Sequence, residues 1–367
     1  MTNMIPYEGW DREYKQNKDE YLELFDNFMS QGNYENCEQF EKEFAELIGR
    51  KYAVSVANAT DALHFSLRSR NIGPGDEVLV TDFSWISSSS CISMVGATPV
   101  FCDIDADTCH ISLESIKRMT TPNTKALIYT HLFGNMSDTA DIEQYCKDKG
   151  IMFVEDAAQS LGSRINNRKA GSIGDCSSFS FNTNKVISGI NGGGIFLTDN
   201  EQLADTVKKL RRHGKGKDYE MLGYNSRMYV LNAQIIQLRL KHLTRDRQIR
   251  QQTAMTYNSA FKDLPIQTPT VADGVIHNWH KYTIRFKDKA TRNTVKNKLN
   301  LSVHYELPLS ENSMYNAWSI DYKKDDCVNS KQVADTILSL PVHAYLEQKE
   351  IATIVKKVKE SVLDASA

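Results

Sequence analysis

Along this chain the apolar positions switch between helical and strand spacing, and the switches predict its elements. Residues 36–49 place Phe40, Phe44 and Leu47 at helical spacing, which predicts a helix with one buried stripe. The run YAVSV reads as a strand, followed by the small-residue turn Asn58, Ala59, Thr60 and by helical spacing from near Asp61. GPGDEVLVT joins a Pro-Gly turn to a short strand, and TPVFCDI and KALIYTH read as two more. A helix from about Asp138 to Lys149, stopped by Gly150, leads into IMFVEDAAQS, an apolar run that breaks abruptly at Glu155 and Asp156. SSFSFNTNKVISGINGGGIFLT then alternates Ser with Phe, turns through Lys185, crosses a glycine cluster and re-enters a strand. Asp199 or Asn200 caps the next helix, whose Leu203, Val207 and Leu210 share one face.

This alternation of strand and helix predicts an α/β fold with a doubly wound, mostly parallel sheet. Strands as uniformly apolar as IMFV are buried on both faces, and ligands of open sheets sit beyond the carboxyl ends of the strands. Asp156 is therefore placed at the candidate site. From about Leu240 a polar helix leads to the strand NWHKYTIRF, a Lys-rich helix to Leu301, the stretch VHYELPL and a last helix with Ile351, Ile354, Val355, Val358 and Val362 on one stripe. The division expected is a large domain over residues 1–240 and a smaller C-terminal α/β domain over 241–367.

At 367 residues, with 41% hydrophobic and 25% charged positions, the chain is long enough for two such domains and of ordinary globular composition. A net charge of −2 gives no general attraction to nucleic acid or anionic lipid, so any anion is held locally. Neither a signal-like apolar core at the N-terminus nor a membrane-length run is visible, and the cytoplasm is the expected location. Seven cysteines lack a C-x-x-C pair and are odd in number, which predicts reduced thiols.

Several candidate groups have two readings at this level. The turn at Ala59 and Thr60, entering a helix, suits a phosphate because free N–H groups and the helix dipole converge there; an ordinary strand-to-helix connection has the same residues. Phe83 and Trp85 read as core aromatics or as a cofactor platform, and Asp156 as a cap, a loop ion-pair partner or a functional carboxylate. His277 and His280 in HNWH lack further ligands and no H-E-x-x-H is present, so no metal is expected. No Walker loop is present, and GINGGG precedes a strand rather than a helix, unlike a dinucleotide-binding fingerprint.

VEDAAQ, GSIGD, and FSF followed by a lysine and GGG, in that order, resemble the DegT/DnrJ/EryC1/StrS sugar aminotransferases, over about Phe40 to His343. The resemblance implies the aspartate aminotransferase-like fold (PLP fold type I) and pyridoxal 5′-phosphate (PLP) as cofactor, with pyridoxamine phosphate as intermediate. It implies Lys185 as the amine that holds PLP and shuttles the proton, and Asp156 as the partner of the pyridine nitrogen. Trp85 corresponds to the aromatic stacked on the ring, Gln159 to its His or Gln neighbour, and Ala59, Thr60 and Ser180 to the phosphate donors; Ala59 stands where a glycine is usual. In GYNSRM, Asn225 corresponds to a residue reaching the neighbouring subunit's cofactor, which implies a homodimer with shared sites. The implied reaction moves an amino group from glutamate to a nucleotide-linked keto sugar. NTNK resembles the form found with 4-keto-6-deoxy sugars such as dTDP-4-keto-6-deoxyglucose, whereas 3-keto enzymes show Y-P-x-K; a surface glycan such as O-antigen is the implied destination. Sugar dehydratases of this kind have a histidine in place of Lys185, and a non-catalytic PLP-binding regulator remains a third reading.

Overall fold

The computed structural model describes residues 5–32 and 37–366. Its strands are β1 (Tyr52–Val56), β2 (Glu77–Thr81), β3 (Thr98–Cys102), β4 (Thr124–Thr130), β5 (Met152–Asp156), β6 (Arg164–Ile165), β7 (Arg168–Lys169), β8 (Cys176–Ser180), β9 (Gly194–Thr198), β10 (Val275–Ile276), β11 (Tyr282–Arg285), β12 (Lys323–Lys324) and β13 (Ile337–Leu340). Eight of them form one sheet in the order β1-β9-β8-β5-β4-β2-β3-β12. Only the pairings of β9 with β1 and β8 are antiparallel, so the expected mostly parallel α/β sheet is what forms.

Side-chain alternation along the strands sorts residues between two buried layers. Leu79, Val100, Leu127, Tyr129 and Phe153 pack on one face, and Val78, Val80, Ala126, Ile128 and Val154 on the other. The Ser/Phe alternation of β8 follows the same rule. Phe179, with Phe181 just beyond the strand, meets the helix Glu38–Ile48 on the first face, where the Phe44–Phe179 and Phe40–Phe181 ring centroids are 5.4 and 5.9 Å apart. Each of these buried rings contributes about 1.5–3 kcal/mol. The buried stripe of that helix is Phe40, Phe44, Ile48; Leu47 is 39% exposed, because a step of three from Phe44 falls at the edge of the stripe and a step of four falls in it. Residue 36, where this helix was expected to begin, lies outside the described residues.

Other boundaries moved for identifiable reasons. The helix expected near Asp61 spans Ala59–Arg68, since the Asn58 side chain accepts from the Asp61 N–H and caps it two residues earlier. Asn200, not Asp199, caps Glu201–Leu210; Asp199 instead pairs with Arg50. Gly150, at φ 65°, closes the helix Ala140–Lys149 as expected. Of NWHKYTIRF only Tyr282–Arg285 is strand, paired with β13.

A third core lies beyond the sheet, built from Tyr257, Trp279, Tyr282 and Leu338 together with Ile351, Ile354, Val358 and Val362 of the helix Gln348–Ser366. Residues after 240 also return to the large sheet: β12 extends its edge, and Leu309, Tyr315 and Cys327 pack in its second layer. All seven cysteines are free and buried. No described helix is long and apolar enough to cross a membrane.

Candidate active site

β5 is buried along its whole length, and its last two residues point to opposite sides of the sheet. Glu155 faces the first layer, where it accepts the N–H groups of Gly171 (2.6 Å) and Ile173 (2.8 Å) and lies 3.0 Å from His131 Nε2. Asp156 faces the second layer and reaches a cavity of about 550 Å³ beyond the strand ends. Ser88 donates to its Oδ2 at 2.8 Å, Thr130 at 3.4 Å, and the Ala158 N–H donates to Oδ1 at 3.1 Å. Burial raises the Asp156 pKa, against the lowering effect of these donors and of Lys185.

Lys185 enters the same cavity from the turn after β8, where its N–H donates to the Asn182 carbonyl at 2.9 Å. Trp10 ties that turn down through Thr183 O at 2.7 Å. Burial brings the Lys185 pKa down to about 8; Asp156 opposes this shift and the nearby Lys281 adds to it. The glycine cluster then turns the chain back beneath the start of the helix Ala59–Arg68. A Cβ on Gly194 would come within 2.3 Å of the Asn58 carbonyl carbon, and Gly193 sits at φ 126°, so glycine is required at both places. Asn232 fixes the loop by accepting from Ile190 N and donating to Gly192 O, both at 2.8 Å.

Ala59 and Thr60 open their helix at the cavity wall, so their N–H groups have no intrahelical acceptor. Ala59 is a helical residue without positive φ, and its methyl therefore costs nothing in the backbone. Thr60 and Ser87 share a hydroxyl hydrogen bond of 2.8 Å. Ser180 lines the wall beside them. The Gln159 side-chain Oε1 accepts from Phe133 N at 2.9 Å, and its Nε2 donates to the Tyr305 hydroxyl at 3.1 Å. Trp85 is 56% exposed at the rim, its ring centroid 6.0 Å from that of Tyr305.

Seven of the eight expected site residues thus meet in one cavity. Asn225 does not: it is exposed, and the segment carrying it is held by a bridge to Arg212. Asn58, Ser88, Thr130 and Tyr305 belong to the site without having been singled out. Asn58 was legible as a cap immediately before a helix. Ser88, in a run of serines, and Tyr305, in a stretch without periodicity, gave no such signal. His277 stacks flat on Trp279 at 4.1 Å, and among the described residues no group of three or more His, Cys, Asp or Glu could hold a metal ion. Two other depressions of similar volume lie on the surface, around Lys42 and Arg212 and around Asp107 and Arg285, and neither carries a buried amine facing a carboxylate.

These groups fit pyridoxal phosphate. A half-buried amine of lowered pKa, a carboxylate held at the end of a buried strand, a helix start whose first N–H groups have no intrahelical acceptor and an aromatic rim surround one cavity. A sequence profile of the DegT/DnrJ/EryC1/StrS aminotransferase family matches residues 13–359. The chain is 33% identical to a dTDP-3-amino-3,6-dideoxy-alpha-D-galactopyranose transaminase of Aneurinibacillus thermoaerophilus over 88% of each chain. It is 31% identical to a pleiotropic regulatory protein of Geobacillus stearothermophilus, over 97% of this chain and 98% of the relative. The solved Spr1654 from Streptococcus pneumoniae, in a PMP form, is similar with a TM-score of 0.86 and 25% identity, over 94% of this chain and 95% of that one. The protein is a PLP-dependent transaminase, and the chain belongs to the DegT/DnrJ/EryC1/StrS aminotransferase family.

Proposed function

We propose that this protein transfers an amino group from glutamate to a keto-deoxy sugar carried on a nucleotide, with Lys185 and Asp156 as its catalytic residues. The observation that carries this reading is that the half-buried Lys185, its amine lowered in pKa, and the Asp156 carboxylate line one cavity and act on each other's charge. When bound, PLP supplies an electron sink for the carbon that loses its proton. Lys185 would hold the cofactor and, once displaced by the donor amine, would take up the proton lost from the donor α-carbon; for the sugar it would deliver the proton instead. Its lowered pKa leaves the amine able to accept a proton near neutrality, and such general acid-base help is worth about 100- to 10,000-fold. Asp156 keeps the pyridine nitrogen protonated, with Ser88, Thr130 and the Ala158 N–H holding the carboxylate in place. Ala59, Thr60 and Ser180 would hold the phosphate, and Trp85 and Gln159, the latter fixed by Tyr305, would hold the ring.

The sugar is taken to be a 4-keto-6-deoxyhexose, on the NTNK turn whose Asn182, Thr183 and Asn184 line the cavity, and surface glycan synthesis such as O-antigen is the process it would serve. The dTDP-3-amino sugar transaminase favours a second reading, a 3-keto substrate. Purified protein given glutamate and a panel of dTDP-, UDP- and GDP-linked 3-keto and 4-keto sugars should aminate a 4-keto compound; product formed only from 3-keto compounds selects the second reading. Binding of PLP without release of 2-oxoglutarate from glutamate would instead mark a regulator.

The exposed place of Asn225, away from its own cavity, supports a homodimer in which it serves the partner's phosphate. A neutral amide donating to a charged oxygen is worth about 1.5–3 kcal/mol. Mixing Lys185→Ala with a strongly impaired Asn225→Ala under subunit exchange should restore roughly a quarter of wild-type activity, because half the dimers then hold one intact site. No recovery means that Asn225 acts within its own subunit.

A further inference from the structure

Lys281 lines the same cavity as Lys185 yet has no part in the chemistry above. It follows His280 at the start of β11, on an ordered loop: the Asn278 amide donates to the Gln159 and Leu161 carbonyls, and Asn278 Oδ1 accepts from His280 N. Its own N–H donates to Phe133 O. The side chain is 7% exposed. Among the described residues its ammonium has no ion-pair partner and no hydrogen-bond acceptor; it lies 5.8 Å from the centroid of the Tyr7 ring. That ring is itself pinned, its hydroxyl donating to Ser339 O and accepting from Ser302 N. Burial lowers the Lys281 pKa and Glu8 acts to raise it, but among the described residues no carboxylate is in contact with the ammonium; a buried cation so placed is costly, and this one stays near enough to Lys185 to depress that amine.

We infer that Lys281 receives the α-carboxylate of the amino donor, an inference that rests on the aminotransferase reading of this cavity. The cofactor phosphate is assigned above to the start of the helix Ala59–Arg68, which leaves the nucleotide diphosphate and the two carboxylates of glutamate, of which the side-chain carboxylate lies further from the reacting carbon. A nucleotide diphosphate is separated from the keto carbon by the sugar ring. The α-carboxylate is bonded directly to the carbon whose proton Lys185 moves, and so must lie within a few ångströms of that amine. His280 and His304, the other basic groups on this side of the cavity, are kept neutral by burial. Asp156, the one carboxylate among the described lining residues, is engaged by Ser88, Thr130 and Ala158. Lys281 is the cation left free for an incoming acid.

The test uses holoenzyme of wild type, Lys281→Met and Lys281→Arg. The donor half-reaction is followed by absorbance over a range of glutamate concentrations. Binding of α-methylglutamate, which has no α-proton to lose, is titrated separately. Lys281→Met should raise the KM for glutamate and the Kd for α-methylglutamate by about 10- to 100-fold, the scale of a charge-assisted hydrogen bond. Lys281→Arg should recover most of this, and the affinity for the nucleotide sugar should be unchanged. Donor affinity intact in Lys281→Met, with weakened binding of either nucleotide sugar or cofactor, overturns the assignment and gives the ammonium to the diphosphate or the cofactor phosphate. Intact affinity for everything overturns it too. A wild type that reacts with no amino acid would sink the aminotransferase reading itself, a result distinct from a normal wild type with an indifferent variant.

Discussion

Replacing Lys185 with Ala is expected to lower turnover by at least about 100-fold, and toward 10,000-fold where no other base takes over the proton. The fold should survive, because the side chain projects into a cavity and makes no ion pair among the described residues. Borohydride reduction of wild-type holoenzyme should fix the cofactor to the peptide carrying Lys185; label on another lysine sinks the assignment. The lowered pKa adds a pH signature. Only the neutral amine attacks PLP, and the neutral fraction grows as pH rises through the pKa. Capture of added PLP by cofactor-free protein should therefore climb and level off just above about 8, whereas an ordinary lysine, at 10.5, would still be climbing there. A plateau displaced to the ordinary range would mean that the amine is not held in the low-dielectric site described here.

Asp156→Asn is the second large effect expected. The amide keeps the shape and can still accept from the Ala158 N–H, and the Ser88 and Thr130 hydroxyls can turn to accept from it. What is lost is the charge. Turnover should collapse on the same scale of about 100-fold or more while PLP still binds, since the phosphate and ring contacts come from other residues. The Asp156 charge also raises the Lys185 pKa, so its removal should move the capture curve of the cofactor-free variant to lower pH. Near-normal turnover with an unmoved curve would make Asp156 a structural carboxylate like its neighbour Glu155.

The sequence by itself determined the local pattern. The all-apolar run before Glu155 required a strand buried on both faces, the Ser/Phe alternation required a two-faced strand, and the glycines before IFLT required a backbone that no side chain could follow. Those rules act between near neighbours in the chain, so periodicity exposes them. The ordered motifs then assigned Lys185 and Asp156 to one site, and both line the same cavity. Boundaries were less legible: Leu47 against Ile48, or Asp61 against Ala59, turn on a single cap or a single step around a helix.

The tertiary structure decided everything that depends on which distant segments meet. Glu155 and Asp156 are adjacent carboxylates, and only the packing of the two layers shows that one is spent on the Gly171 and Ile173 N–H groups while the other opens onto a cavity. Ser88, 68 positions away, became the partner of Asp156, and Tyr305, 146 positions away, the partner of Gln159. Lys281 looked like any lysine in a strand, until the third core carried its loop to the cavity and stripped it of solvent without, among the described residues, bringing a carboxylate into contact with it. Contacts of that range arise from the closing of the sheet against the C-terminal elements. No local period records them, because the free energy that fixes them comes from burial of faces that are far apart in the chain.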